Sequence, residues 1–130
     1  MAKIKHVALR TADVEKTAAF YKEVFGLRQV GRGRSGIYLS DGHINLAILK
    51  YEPGKDAETG KIGIDHLGFQ VEDVDGAVAK LKELGGESLM DRVDVTPKDA
   101  SIPQSYYEIK CLGPDRQVID ISGSGWVGTD

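Results

Sequence analysis

Two histidines and one aspartate carry the chemistry most visible in this sequence. His6 and His66 stand sixty residues apart, in the parallel segments Ile4-Lys5-His6-Val7 and Ile64-Asp65-His66-Leu67. Asp120 lies within the apolar stretch Val118-Ile119-Asp120-Ile121. A carboxylate in such surroundings is costly to bury alone, and a cation beside it would neutralise it. Two imidazoles in register with one carboxylate are a pattern of residue types that binds divalent metals.

The spacing of the histidines belongs to a larger repeat. Sliding the chain by sixty residues aligns Ile4–Gly26 with Ile64–Gly86 without a gap. The identical pairs are Ile4/Ile64, His6/His66, Asp13/Asp73, Val14/Val74, Ala19/Ala79, Lys22/Lys82, Glu23/Glu83 and Gly26/Gly86. Each half opens with an alternating segment, Ile4–Arg10 or Ile64–Val71, as a half-buried strand does. Asp13 and Asp73 then fit the N-cap of a helix. Apolar residues recur at helical spacing after each cap, and Gly26 and Gly85–Gly86 close the helices. Strands are expected near Arg28–Gly31, Gly36–Ser40 and His43–Lys50, then near Ser88–Arg92, Gln104–Leu112 and Gln117–Ser122.

The pattern predicts an α+β fold of two tandem βαβββ modules within one domain, 1–130. Module one spans 1–51, a linker 52–61, module two 62–122 and a flexible tail 123–130. Trp126 in that tail is a candidate for a subunit contact. A polar loop, Val93–Pro103, is long enough to be a lid.

Strand parity sorts the polar residues by face. Val7 and Leu9, like Leu67 and Phe69, suit the side covered by the helix, which leaves His6 and His66 on the other. Ile44, Leu46 and Ile48 share one face; His43, Asn45 and Ala47 share the opposite one. Ile119 and Ile121 point inward, while Val118, Asp120 and Ser122 point away. Asn45 and Asp120 are therefore mates in the duplication.

Composition narrows the classes. The 130 residues are 41% hydrophobic and 28% charged, which is globular rather than disordered. A net charge of -3 argues against a nucleic-acid partner. The single cysteine, Cys111, forms no intrachain disulfide and reads as inert core. No apolar run reaches the roughly 18 residues of a membrane span, and no apolar signal core opens the chain, so a cytoplasmic protein is expected.

Four further residues are candidates for catalysis. His43 shares a face with Asn45 but also follows the Asp41-Gly42 turn. Tyr38 and Tyr106 have the parity of pocket-lining residues. Glu108 is the best spare general base. Gly31-Arg32-Gly33-Arg34-Ser35-Gly36 matches a dinucleotide fingerprint literally, but no helix follows it, so it reads as a basic hairpin.

The chain resembles the vicinal oxygen chelate superfamily of glyoxalases, extradiol dioxygenases, epimerases and fosfomycin- and bleomycin-resistance proteins. The resemblance covers nearly the whole chain. It rests on Lys5-His6-Val7-Ala8-Leu9, Asp13 to Tyr21, Phe25-Gly26-Leu27, Asp65-His66-Leu67-Gly68-Phe69 and Gly113 to Ile121. It implies paired modules whose sheets curl around a divalent metal. By position it makes His6, His66 and Asp120 the ligands. Asp120 stands where the family more often has Glu, and Asn45 where four-ligand members have a carboxylate or an amide. The remaining two histidines and one carboxylate favour Fe(II), with Mn(II), Ni(II) or Zn(II) as alternatives. The expected function is that of a metal-dependent dioxygenase or glyoxalase-like lyase or isomerase, acting on a small substrate that chelates through neighbouring oxygens. The rival is a metal-free binding or antibiotic-sequestering protein of the bleomycin-resistance type. The small members of this family imply a homodimer with shared sites, His6 and Asn45 from one subunit and His66 and Asp120 from the other.

Overall fold

Alternation and capping produce the expected order of elements. A computed structural model describes residues 1–53, 61–89, 93–95 and 106–130, with 93–95, 106 and 107 described by their strands alone. The elements are β1 (Lys3–Thr11), α1 (Val14–Phe25), β2 (Arg28–Arg32), β3 (Gly36–Ser40), β4 (Asn45–Lys50), β5 (Gly63–Gln70), α2 (Val74–Glu83), β6 (Glu87–Ser88), β7 (Val93–Val95), β8 (Tyr106–Leu112) and β9 (Val118–Ser122). The chain is α+β and its sheet is mixed. Most of the linker, 54–60, and most of the expected lid, 96–103, lie outside the described residues.

Two compact units divide the chain. One comprises Lys5–Leu67 with Trp126–Asp130, the other Gly68–Gly125 with Met1–Ile4. The divisions therefore fall inside β1 and β5, and the last five residues group with the first half.

In the first unit the strands lie in the order β2-β3-β4-β1-β5. β2/β3 and β3/β4 are antiparallel, whereas β1 and β4 are parallel, with His6 opposite Asn45 and Ala8 opposite Ala47. Asp13 caps α1 by accepting from the Lys16 backbone N–H at 3.0 Å. Gly26, at φ 69°, closes the helix in the left-handed region that glycine enters without a Cβ clash. The stripe of α1 buries Ala18 against Ile37, Leu39 and Ile48, with Leu9, Val14, Tyr21, Leu27 and Leu46 around them. Leu9, Leu46 and Ile48 thus take the helix side, as their parity requires. His6, Ala8, Asn45 and Ala47 are left on the other face, and all four are buried.

In the second unit β8 pairs antiparallel with β9, β6 and β7. Asp73 caps α2 through the Gly76 N–H. Val74 and Val78 pack on Ile109, Cys111 and Ile121, with Val71, Ala77, Leu81 and Ile119 alongside. Cys111 is core as expected, and burial pushes its thiol up from the usual range. Val93–Val95, read from sequence as the start of a polar loop, instead forms β7 against Tyr106–Glu108. Val93 and Val95 are β-branched, and the antiparallel edge of β8 supplies their backbone partners.

The end of the chain also departs from expectation. Trp126–Asp130 is not a free tail, nor is Trp126 turned outward. The Trp126 ring is buried, Ser40 Oγ donates to the Gly128 carbonyl at 2.6 Å, and Asn45 Nδ2 donates to the Val127 carbonyl at 2.9 Å. Lys5 and His43 both hold the Asp130 carboxylate. Gly125 and Gly128, both at positive φ, provide the turns that a sequence reader takes for flexibility.

The glycine-rich stretch is a hairpin, and close packing explains its three glycines. Gly31 and Gly33 lie under the Tyr38 ring, while a Cβ on Gly36 would stand 1.9 Å from the Ile48 carbonyl oxygen. We expect Gly36→Ala to force β3 and β4 apart and to cost about 1–3 kcal/mol. A lowered urea midpoint measures the loss, and an unchanged midpoint refutes the packing explanation.

Candidate metal centre

Strand pairing sets the environment of His6. Because β1 and β4 run parallel with His6 opposite Asn45, the imidazole and the amide meet, His6 Nδ1 to Asn45 Oδ1, at 2.8 Å. The other end of the amide, Nδ2, donates to the Val127 carbonyl, so Oδ1 is the acceptor and His6 Nδ1 carries the hydrogen. His66 is set in the same way by another partner. Its Nδ1 lies 2.6 Å from Asp65 Oδ2, a carboxylate that accepts, so this Nδ1 also carries hydrogen.

With both Nδ1 atoms committed, the two Nε2 atoms present lone pairs. They face each other at 3.2 Å, and both rings are buried. Two acceptors at that distance repel unless a proton or a cation lies between them. Imidazoles oriented by hydrogen bonds at the far nitrogen are also the usual arrangement around a bound metal. The histidine pair therefore fits a divalent cation on its own geometry. The Trp126 ring stacks on His6 with centroids 4.9 Å apart and planes 4° from parallel. Arg10 Nε lies 3.6 Å from Asp65, supporting a carboxylate whose side chain is almost fully buried.

One chain brings His6 and His66 together. This corrects the expectation that a dimer would divide them between subunits, and the physical reason is that β1 and β5 are neighbours in one sheet. Asn45, whose two amide ends are both engaged, holds the His6 ring instead of presenting a free oxygen.

In the second unit Asp120 is fully buried on β9. The β8/β9 register sets Lys110 directly opposite, and Lys110 Nζ donates to Asp120 Oδ1 at 2.7 Å. The cation that a buried Asp120 requires is thus supplied in part by the chain. Glu108, two residues before Lys110 on β8, neighbours the same carboxylate. Burial raises its pKa to about 9, helped by hydrogen bonding to Asp120 and by its charge, against a smaller opposing pull from Lys110. At neutral pH Glu108 keeps its proton.

The remaining candidates divide. His43 is exposed and its Nδ1 meets Asp130 Oδ2 at 2.8 Å. It belongs to a turn in which the Asp41 carboxylate accepts from the backbone N–H groups of Ile44 and His43, bonds that hold Asp41 below the usual carboxylate range. Tyr38 lies over Gly31 and Gly33. Tyr106 is in β8, and its side chain lies outside the described residues. Sequence reasoning missed Asp65, Lys110 and Trp126 as site residues. Lys110 carried a signal: between Ile109 and Cys111, both core, it must face the same side as Asp120.

Over 109 residues the chain is 28% identical to human mitochondrial methylmalonyl-CoA epimerase, covering 73% of this chain and 61% of that one. Over 91 residues it is 32% identical to the manganese-dependent 2,3-dihydroxybiphenyl 1,2-dioxygenase of Geobacillus genomosp. 3, covering 67% of this chain and 27% of that one. The chain thus matches less than two thirds of either relative. The crystal structure of the Mn(II)-bound glyoxalase from Novosphingobium aromaticivorans has the same fold, with a TM-score of 0.73 at 16% identity, covering 100% of this chain and 42% of that one. Residues 3–117 match the family described as the Glyoxalase/Bleomycin resistance protein/Dioxygenase superfamily, and the chain belongs to it.

Proposed function

We propose that this protein is a divalent-metal-dependent enzyme, with His6, His66 and Asp120 as the metal ligands, acting on a small molecule with neighbouring oxygens. The observation that carries the reading is the pair of Nε2 atoms 3.2 Å apart, each on a ring whose Nδ1 is already committed. Asp120 adds the carboxylate, and all three side chains are buried. Two imidazoles and one carboxylate suit Fe(II) or Mn(II), and manganese stands in the names of two proteins this chain resembles. When bound, the metal supplies Lewis-acid polarisation of the substrate oxygens.

The chain's own groups do the rest. Asn45 and Asp65 hold the imidazoles in one tautomer each. Lys110 stays on Asp120 Oδ1 and limits the negative charge that Asp120 presents. Glu108 holds a proton on its carboxyl group at neutral pH, which suits it to deliver a proton to a substrate carbon or oxygen. This favours proton-transfer chemistry of the isomerase or epimerase kind. The second reading is dioxygenase chemistry, supported by the ligand types and by the 32% identical relative. A metal-free sequestering protein would need only a shared proton between the facing Nε2 atoms and gives no role to the buried Asp120.

Metal analysis tests the assignment. After loading with Mn(II) and desalting, wild type is expected to retain about one ion per chain, and His66→Ala to lose most of it with an unchanged circular dichroism spectrum. Stoichiometric Mn(II) in folded His66→Ala refutes the ligand set. A wild type that retains no metal favours the sequestering rival.

Glu108 predicts a pH dependence in metal-free protein. Its folded pKa, about 9, lies above the usual carboxyl value of 4.5, so folding takes up a proton in that window. The stabilisation is complete below pH 4.5 and is lost as pH rises through 9. Glu108→Gln should therefore show a shallower fall in Tm between pH 5 and 9 than wild type. Parallel curves for the two proteins contradict the raised pKa.

A further inference from the structure

Trp126, Val127, Gly128 and Asp130, beyond the duplicated part of the chain, gather around His6 and its neighbours. Trp126, the only tryptophan, lays its ring on His6, 4.9 Å between centroids and 4° from parallel. Val127 offers its carbonyl to Asn45 Nδ2, and the same amide accepts the His6 Nδ1 hydrogen. Gly128, at φ 82°, lies so close to the sheet that a Cβ would stand 2.7 Å from Val30 Cγ2 and 2.9 Å from Ser40 Cβ; Ser40 Oγ holds its carbonyl at 2.6 Å. Asp130 is gripped by Lys5, the residue before His6, and by His43, which together keep its carboxyl well below the usual range.

These contacts fix two properties of His6 by different routes. Stacking on Trp126 fixes the plane of the ring. The relay from Val127 through Asn45 to Nδ1 fixes the tautomer, because an amide whose Nδ2 is engaged by a carbonyl can offer only its oxygen to the imidazole. The lone pair on Nε2 is aimed at its partner only when both hold. His66 is oriented by a different route, its neighbour Asp65 on the same strand.

We propose that the segment Trp126–Asp130 is a positioning strap for His6, with Trp126 and Val127 as the positioning residues that make the metal affinity of this ligand depend on the end of the chain. The effect on affinity rests on the metal reading above. The effect on the tautomer does not.

The test uses full-length Trp126→Ala and Trp126→Phe, with two measurements. The first is the ¹⁵N chemical shifts of the His6 ring in metal-free protein. Wild type should show a single Nδ1–H tautomer; Trp126→Ala, which unseats the adjacent Val127 carbonyl from Asn45 along with the ring, should show a mixture, and Trp126→Phe a return towards wild type. The second is Mn(II) affinity by competition with a chelator, which should fall about 10- to 100-fold in Trp126→Ala, the range seen when outer support of a ligand is removed, and recover in Trp126→Phe. Unchanged tautomer and affinity in folded Trp126→Ala overturn the strap. If wild type binds no Mn(II), the metal reading fails alone, and the tautomer decides the strap: a mixture in Trp126→Ala upholds it and a single Nδ1–H form overturns it. Should Trp126→Ala fail to fold, Ser40→Ala, which removes the anchor at Gly128, takes its place. A smaller change in the same direction is expected, and none at all overturns the proposal.

Discussion

Two imidazole nitrogens 3.2 Å apart constrain much of this protein. Their closeness requires β1 and β5 to be neighbours and His6 and His66 to share a face. It also requires each ring to be held by its far nitrogen, or either would rotate and relieve the contact. Asn45 meets that need for one ring and Asp65 for the other. Each ring is therefore held from its far nitrogen, as imidazoles around a bound metal usually are.

The duplication makes the halves similar, and the site depends on where they differ. Lys5 and Asp65 occupy equivalent positions, yet Lys5 reaches Asp130 whereas Asp65 holds the adjacent histidine. Asn45 and Asp120 are mates as well. Asn45 is neutral and both its amide ends are engaged, so it serves as support; Asp120 is charged and draws Lys110 and Glu108 around it. One carboxylate in place of two leaves less charge to be neutralised, and an amide can both donate and accept, which is what a relay from a carbonyl to an imidazole needs.

Much of this was legible in the sequence because strand parity and a sixty-residue repeat are local or periodic signals. They placed His6 with Asn45, Leu46 with Ile48 and Cys111 in the core. What they could not carry was contact across long separations. The stack of Trp126 on His6 joins residues 120 positions apart through a segment rich in glycine, and glycine in a sequence reads as freedom even where positive φ and close packing demand it. Asp65 was hidden for a different reason. Neighbours on a strand point to opposite faces, so parity alone separates it from His66, whereas its carboxylate reaches back to Nδ1. His43 shows the converse: its parity was right for a pocket, but the turn that precedes it leaves it exposed at Asp130.

Electrostatics links the proposed metal to the proton on Glu108. Without a metal, Asp120 has Lys110 on one oxygen, and Glu108 stays protonated because burial and the neighbouring negative charge both oppose its ionisation. A divalent cation on Asp120 reverses the second of these effects, since a positive charge nearby stabilises the ionised carboxylate. Glu108 would then become a base under the conditions in which substrate binds. On the proposed reading, the same carboxyl group would hold its proton in the metal-free protein and accept one in the loaded one, with Lys110, which attracts both carboxylates, moderating the change. That coupling requires neither a fourth ligand nor a second carboxylate at position 45. In that reading Asn45 serves only the relay to His6, and Lys110 alone balances the buried aspartate before a metal binds.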